Sequence, residues 1–508
     1  MIRITKPSNI LLILILSLTA SRLEAQVYLH IDRDKYIAGE EVWFSIYSID
    51  QETGRLSSKS VIAYAELLNP WNIPVIQGRF RLSGGRGEGI FLLPDSISSG
   101  TYTIRAYTYR MKDFLPDHCF IHDIDICNPF KGSDFRRKVT SGGSSFAGLT
   151  EFQDNNENII IFVSDSIYGK REKVLLKVRI TNDKADQPGI SEMSISVTPA
   201  EVASVNLWRN DLVNPKTVTN QNSFESEGHI LSGRIKYREN NMSDSSDFLF
   251  MSLQGKIADF KYARIDTAGR FRFIMPVDSK IRNLILQPEH ADNNMILEIE
   301  PPFSWILPES YCYKDTLTDS QLKMFSELSF NYQAEKIYGT TLKREAAPDY
   351  KGENQKRRFY GIPEMEVFLD DYISLPVMQE VFFELVPGII LRTRKSGYDM
   401  KITNPLTGIY YEEPPLVMID GVIINDLNVL ADLDPEKVEK IEVVKTPYLI
   451  GDLVLHGIVN VITRSGDFSN ITIPDYAAVL PYRVIDKPYT FTPPSYDNAQ
   501  DTLQRIPD

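Results

Sequence analysis

The sequence predicts a mainly β protein, with tandem β-sandwich domains followed by a small α+β domain. Three observations carry that prediction. Through roughly the first 300 residues, short stretches alternate apolar and polar positions between turn clusters, the pattern of half-buried antiparallel strands. Helical and strand periods alternate only between residues 362 and 470. The chain has 508 residues, enough for three or four domains at about 150 each, and three cysteines, too few to staple them, so hydrophobic cores must do so. The formal net charge is −13 with no long run of Lys or Arg, so the basic stripe that phosphate backbones require is missing and nucleic acid is excluded as a partner.

Residues 1–25 have the pattern of a secretory signal peptide: Arg3 and Lys6 precede the apolar run 10–16, and small or polar residues lead to Ala25 before Gln26. The apolar stretch is about half the ~20 residues that cross a bilayer, and no later segment is apolar enough to span one as a helix. Residues 26–130 are expected to form a first sandwich. Val42, Phe44 and Ile46 share one strand face, Tyr102, Ile104 and Ala106 another, with Thr101, Thr103 and Arg105 opposite, and turn clusters at 83–89 and 96–100 separate strands. Residues 131–158, rich in Ser, Gly and Asn, have no apolar period and are expected to be a linker. A second sandwich is expected at 159–228, where Val174, Leu176, Val178 and Ile180 alternate after a turn at 168–173; a tandem repeat, or simply a recurrent turn-then-strand, explains its echo of residues 36–46.

A third sandwich is expected at 229–300, where the turn Asp266-Thr267-Ala268-Gly269 precedes Phe271 and Phe273 flanking Arg272. Residues 301–361 read as a partly helical connector, with a helix around 320–329. In 362–470, Val377, Val381 and Leu385 fall at i, i+4 and i+8 beside Met378 and Phe382, bracketed by Pro376 and Pro387-Gly388, which predicts an amphipathic helix. Residues 415–421 form a buried strand running into a turn, Asp434-Pro435 supplies an N-cap and first helical residue, and 441–445 and 458–463 are further strands. Residues 471–508 are a tail rich in Pro and Tyr.

The opening stretch Val27-Tyr28-Leu29-His30-Ile31-Asp32-Arg33-Asp34-Lys35-Tyr36-Ile37-Ala38-Gly39-Glu40, with residues 89–94 and 100–107, resembles the macroglobulin-like domains of exported bacterial proteins. The thioester run Cys-Gly-Glu-Gln is missing, since Cys312 sits in Tyr311-Cys312-Tyr313-Lys314, so protease trapping is not implied. The region 231–300 resembles the prealbumin-like modules ahead of receptor plugs, which implies a structural spacer. Residues 385–388, 415–421, 433–445 and 457–463 occur in the order of the TonB-dependent receptor plug, as in its SusC-like branch. Departures are the replacement of the usual Tyr-Gly-Ser-Arg stretch by residues 448–456 and the missing Arg-Gly before Pro415. Only 42 residues follow Gly466, against about 22 barrel strands of about 9 to 11 residues, so no barrel is expected in this sequence.

Together the resemblances imply an exported, Bacteroidetes-type protein of the periplasm or outer membrane: a non-catalytic interaction or scaffold protein docking an outer-membrane or periplasmic protein partner through a plug-like domain. The alternatives are a ligand- or glycan-binding accessory protein of an uptake system, drawing on 25 Tyr and 25 Phe, and a fragment of a longer TonB-dependent receptor. No His-Glu-x-x-His run, phosphate-cradling loop or Gly-x-Ser-x-Gly elbow occurs, so no catalytic, cofactor or metal residues are predicted. The most metal-like cluster is His118, Cys119 and His122, but on an extended strand the imidazoles stand about 13 Å apart at ~3.3 Å per residue. Asp123 and Asp125 alternate with Ile124 and Ile126 and are expected on a wet strand face, and Asp420-Gly421 is expected to be a turn. Cys119 and Cys127 either pair, if their Cα atoms come within about 7 Å, or remain two thiols.

Overall fold

Alternation in the first strands does what elementary packing demands: Val27, Leu29 and Ile31, then Val42, Phe44 and Ile46, are buried while their neighbours are partly exposed. The computed structural model describes residues 25–131, 135–140, 159–163, 167–168, 174–180, 193–198, 202–203, 223–237, 248–289, 295–307, 310–338, 358–395, 397–468, 473 and 477–490. Of the residues expected to form a signal peptide, 1–24 lie outside them, and Ala25 opens the first strand. Two compact units divide the chain, one gathering Met1–Gly228, Phe303–Asp349 and Ile485–Asp508, the other His229–Pro302 and Tyr350–Val484. No helix among the described residues is long and apolar enough to cross a membrane.

In the first unit, Glu41–Asp50 lies between Ala25–Ile31 and Arg86–Leu92 in an antiparallel three-stranded sheet. A seven-stranded sheet orders Ser310–Lys314, Arg136–Thr140, Gly100–Tyr107, Ile62–Leu68 and Pro74–Arg81, with Phe120–Cys127 also against Gly100–Tyr107 and Lys35–Ile37 beyond it. The sheets meet through aromatic contacts, Phe44 edge-on to Phe80 at 5.1 Å and Tyr28 to Phe120 at 5.4 Å. A Cβ on Gly89 would stand 2.2 Å from the Phe44 ring, so only glycine admits this approach. Helix Asp319–Tyr338 starts at a capping box, Thr318 and Gln321 bonding each other's backbone N–H, and buries Phe325 and Tyr332 against Ile37.

Two expectations need correction here, and a third falls mostly outside the described residues. Gly100–Tyr107 is buried on both faces, so Thr101, Thr103 and Arg105 do not face water. Arg136–Thr140, within the expected linker, is a strand whose partner Ser310–Lys314 comes from far along the chain, a pairing no local period announces. Within 159–228, Ile159–Val163 and Leu176–Ile180 form an antiparallel ladder; most of the remainder lies outside the described residues.

In the second unit, His229–Tyr237 lies between Arg270–Met275 and Met295–Ile299, facing a sheet ordered Asp259–Arg264, Phe248–Leu253, Arg282–Pro288 and Ala478–Tyr482. The expected turn is present: Gly269 has φ 76° and donates to Asp266 O at 2.8 Å, and Phe271 and Phe273 are buried about an exposed Arg272. The fourth strand, Ala478–Tyr482, comes from the stretch expected to be tail.

The α+β part has a five-stranded sheet ordered Met365–Phe368, Val438–Val444, Ile458–Thr463, Leu416–Ile419 and Val422–Ile423, parallel only between Leu416–Ile419 and Ile458–Thr463. Helix Met378–Leu385 buries Met378, Val381 and Phe382; Val377 is 41% exposed, so the buried stripe is rotated from the expected one. Asp434 caps the next turn, accepting from Glu436 N at 3.0 Å with Pro435 in first place. The spacer expectation fails for the module before it: Phe250, Ala258 and Phe260 share one core with Met418, Val444 and Ile458, and Gln287 Nε2 donates to Ile423 O at 3.0 Å.

Candidate interaction surface

The residues weighed for chemistry do not converge. His122 Nε2 meets Asp34 Oδ1 at 2.6 Å, His118 lies edge-on to Phe114 at 5.9 Å, and Cys119 Sγ meets Pro116 O at 3.5 Å. Among the described residues no three His, Cys, Asp or Glu side chains assemble a metal-ligand set. All three cysteines are free thiols. The extended strand Phe120–Cys127 separates Cys119 from Cys127, which at about 3.3 Å per residue holds them far beyond bonding reach, so the disulfide alternative falls. Burial pushes the Cys119 thiol up to about 12, away from the reactive thiolate. Asp123 is exposed as expected, but Asp125 is half-buried: it accepts from Thr101 Oγ1 at 2.7 Å, and burial raises its carboxyl above the usual range.

Asp420 and Gly421 form the expected turn, with φ 47° and 78°, positive at both central positions as a type I′ hairpin requires. The turn is also a buried hub. The Asp420 carboxylate is fully buried and accepts from Thr463 N at 2.7 Å, Thr463 Oγ1 at 2.6 Å and Phe468 N at 2.9 Å, so its lone pairs are spent on holding the chain.

Among the described residues four further buried carboxylates escaped the sequence reading, Glu66, Glu225, Asp278 and Glu442, and two of them lie in mid-strand beside cations. In the first unit Glu66 pairs with Arg105, accepts from Tyr107 OH at 3.0 Å and Gln77 Nε2 at 2.6 Å, while Arg105 reaches on to the carbonyls of Ser304 and Ile306. Burial, then the charge of Glu66, holds the Tyr107 phenol well above its usual range. In the second, Glu442 accepts from Tyr360 OH at 2.6 Å, Arg358 Nη2 at 2.5 Å and Lys440 Nζ at 2.6 Å, and both cations also reach Glu366 Oε1 at 2.9 Å. The readable signal was a lone acid inside an apolar strand, as in Ala63-Tyr64-Ala65-Glu66-Leu67-Leu68, since a carboxylate is almost never buried unpaired.

Among the exposed side chains of the second unit are large apolar ones. Phe383 stands 75% exposed on the outer side of helix Met378–Leu385, Leu406 88% exposed in a loop held by Asn404, and Leu449 68% exposed in the hairpin Tyr448–Ile450/Leu453–Leu455. The first unit carries a cleft of about 410 Å³ lined by Phe80, Arg86, Glu88, Asp486 and Tyr489 among others.

No protein-family model matches the chain, and no curated protein matches it. Solved structures to which it is similar include Escherichia coli α2-macroglobulin in its native conformation, at 13% identity and TM-score 0.18 over 56% of this chain and 14% of that one. Salmonella α2-macroglobulin reacted with methylamine matches at 12% identity and TM-score 0.18 over 57% of this chain and 15% of that one. A tetra-tandem repeat from the extending region of a large adhesion protein matches at 9% identity and TM-score 0.15 over 57% and 73%. The chain thus spans about one-seventh of the length of the macroglobulins it matches. Similarities at such TM-scores carry no argument, and the sandwiches rest on the strand pairing above.

Proposed function

We propose that this is a non-catalytic cell-envelope protein that docks an outer-membrane or periplasmic protein partner through its α+β part, which we read as plug-like. The observation that motivates the reading is the exposure of Phe383, Leu406 and Leu449 on three elements of that part, which mark a docking face where they form one contiguous apolar patch. The ordered motifs between residues 385 and 463 support the plug resemblance, and the leader-like residues 1–25 support export. Asp420 and Glu442 favour a non-catalytic role because their oxygens are already committed to internal bonds. The core shared with the preceding sandwich favours rigid docking over movement of an independent plug. The test is a photo-crosslinking residue placed at position 383 or 406 in the envelope of a producing bacterium. One discrete adduct is expected, and Phe383→Asp should abolish the adduct at 406 while leaving the melting temperature unchanged; absence of any adduct at both positions overturns the reading.

A second reading, a ligand- or glycan-binding accessory protein, is favoured by the 410 Å³ cleft beside Tyr489. Thermal stabilisation by a polysaccharide, lost in Tyr489→Ala, would support it over the first.

A further inference from the structure

The loop between strands Ile62–Leu68 and Pro74–Arg81 is closed by one residue. Asn69 N donates to Ile73 O at 2.9 Å, Asn69 O accepts from Asn72 N at 2.9 Å, and Asn69 Oδ1 accepts from both Trp71 N and Ile73 N at 2.9 Å. Pro70 and Pro74 have no N–H to offer, so every backbone N–H from residue 69 to residue 74 is paired within the loop. Its shape is fixed as well. Asn72 sits at φ 60°, which asparagine tolerates, its Nδ2 donates to Ser310 Oγ at 2.6 Å, and Pro70 is buried beside Gly100.

So fixed, the loop holds large apolar side chains out in water. Trp71 is 54% exposed and Ile73 58%, and Val75, just past the loop, is 38% exposed. From Leu67 to Gly78 twelve residues in a row carry no charge, in a chain that is 24% charged. Apolar side chains, no charge and a backbone without an unmet donor are what lipid demands, because an unpaired N–H there has no water to turn to. The same closure disfavours a polypeptide adding its backbone here, since the loop keeps no N–H to offer it. Tryptophan is enriched where membrane meets water. The net charge of −13 disfavours anionic headgroups, which leaves a zwitterionic surface as the better match.

We propose that loop 69–74 is a shallow membrane anchor whose Trp71 and Ile73 enter the interface of a zwitterionic lipid bilayer. The loop belongs to the first unit and its test needs no partner protein, so it stands or falls independently of docking through the α+β part. The probe is a protein-free vesicle of phosphatidylcholine, mixed with the full chain and sedimented. Saturable binding is expected, equal in low and high salt and at least tenfold weaker for the double variant Trp71→Ser, Ile73→Ser. Both side chains are exposed, so the melting temperature should not move. Phosphatidylcholine brominated along its acyl chains gives a second readout that does not depend on the double variant: the parent chain should lose fluorescence on binding, and Trp71→Phe should bind within threefold of the parent while that quenching disappears. No binding at about 2 mM lipid overturns the proposal. So does equal binding of the double variant, quenching that persists in Trp71→Phe, or binding confined to vesicles that contain phosphatidylglycerol. A photo-crosslinking residue at position 71 that gives a discrete protein adduct in the envelope, with no vesicle binding, would also overturn it, because the occupant would then be a protein.

Discussion

Glu66 and Glu442 are both fully buried carboxylates in mid-strand, each bonded to a tyrosine and to an arginine, yet they are closed off in different ways. Arg105, 1% exposed, spends its remaining N–H groups on two backbone carbonyls of residues 304 and 306, some 200 positions later in the chain. The cations on Glu442 come from the solvent side, Arg358 with 27% and Lys440 with 14% of their side chains exposed, and both share Glu366. The same acid–base chemistry therefore locks remote segments together in one unit and closes the rim of a sheet in the other. The difference lies in what happens when a partner is lost: a sealed charge has nowhere to go, whereas a rim cation can turn to water or to a second carboxylate.

The largest effect should follow from Arg105→Met. It strands the Glu66 charge and leaves the carbonyls of Ser304 and Ile306 without their donor, and breaking a sealed pair of this kind costs about 3–5 kcal/mol. Urea denaturation should show that loss, and the double variant with Glu66→Gln should recover more than half of it. A change below about 1 kcal/mol would mean that the Arg105 lock does not hold the 304–306 segment.

Glu442→Gln should cost less, about 2–3 kcal/mol, because Tyr360 keeps an acceptor and Arg358 and Lys440 keep Glu366. A loss larger than that of Arg105→Met would reverse the comparison. Below both lies Asp420→Asn. Asparagine tolerates φ 47°, but its amide turns a donor towards either the Thr463 or the Phe468 N–H, at an expected cost of about 1–2 kcal/mol. Weaker protection of the Phe468 amide in hydrogen exchange would locate the damage.

How much of this was legible in the sequence follows from how local each feature is. Alternation at Val42, Phe44 and Ile46, the Asp266–Gly269 turn, the Asp434 cap and the Asp420-Gly421 turn depend on neighbours within a few residues, and all are present. The Gly100–Tyr107 outer face misled because Arg105 and Tyr107 on it are met by residues 304–306, and Arg136–Thr140 because its partner is Ser310–Lys314. The buried glutamates were hidden for the same reason: a single Glu in an apolar strand signals a partner without saying which one. The surface residues Phe383 and Leu406 follow no period, so only the folded chain distinguishes them from core.

Asp32 sharpens the comparison by supplying the case that Glu66 avoids, a half-buried carboxylate whose only cation is shared. Its Oδ1 accepts from Tyr36 OH at 2.6 Å and Trp43 N at 3.0 Å, but Arg33 stands 3.5 Å away and divides its charge with Glu40 at 3.2 Å. Burial outweighs Arg33 and both hydrogen bonds, so the carboxyl is pushed up to about 6. The folded state therefore holds this proton more tightly than the unfolded chain. The resulting contribution to stability is fully present below the ordinary carboxyl pKa of about 3.9 and is lost as pH rises through the folded value near 6. Asp125, also raised, adds to the same slope, which is why the difference between variants is the useful quantity. Asp32→Asn keeps an acceptor for Tyr36 and Trp43 and has no proton to lose. Relative to the parent chain it should gain about 1 kcal/mol at pH 7.5, after allowing for partial exposure, and nothing at pH 4. Parallel melting curves for the two proteins across that range would show that Arg33 compensates Asp32 as fully as Arg105 compensates Glu66.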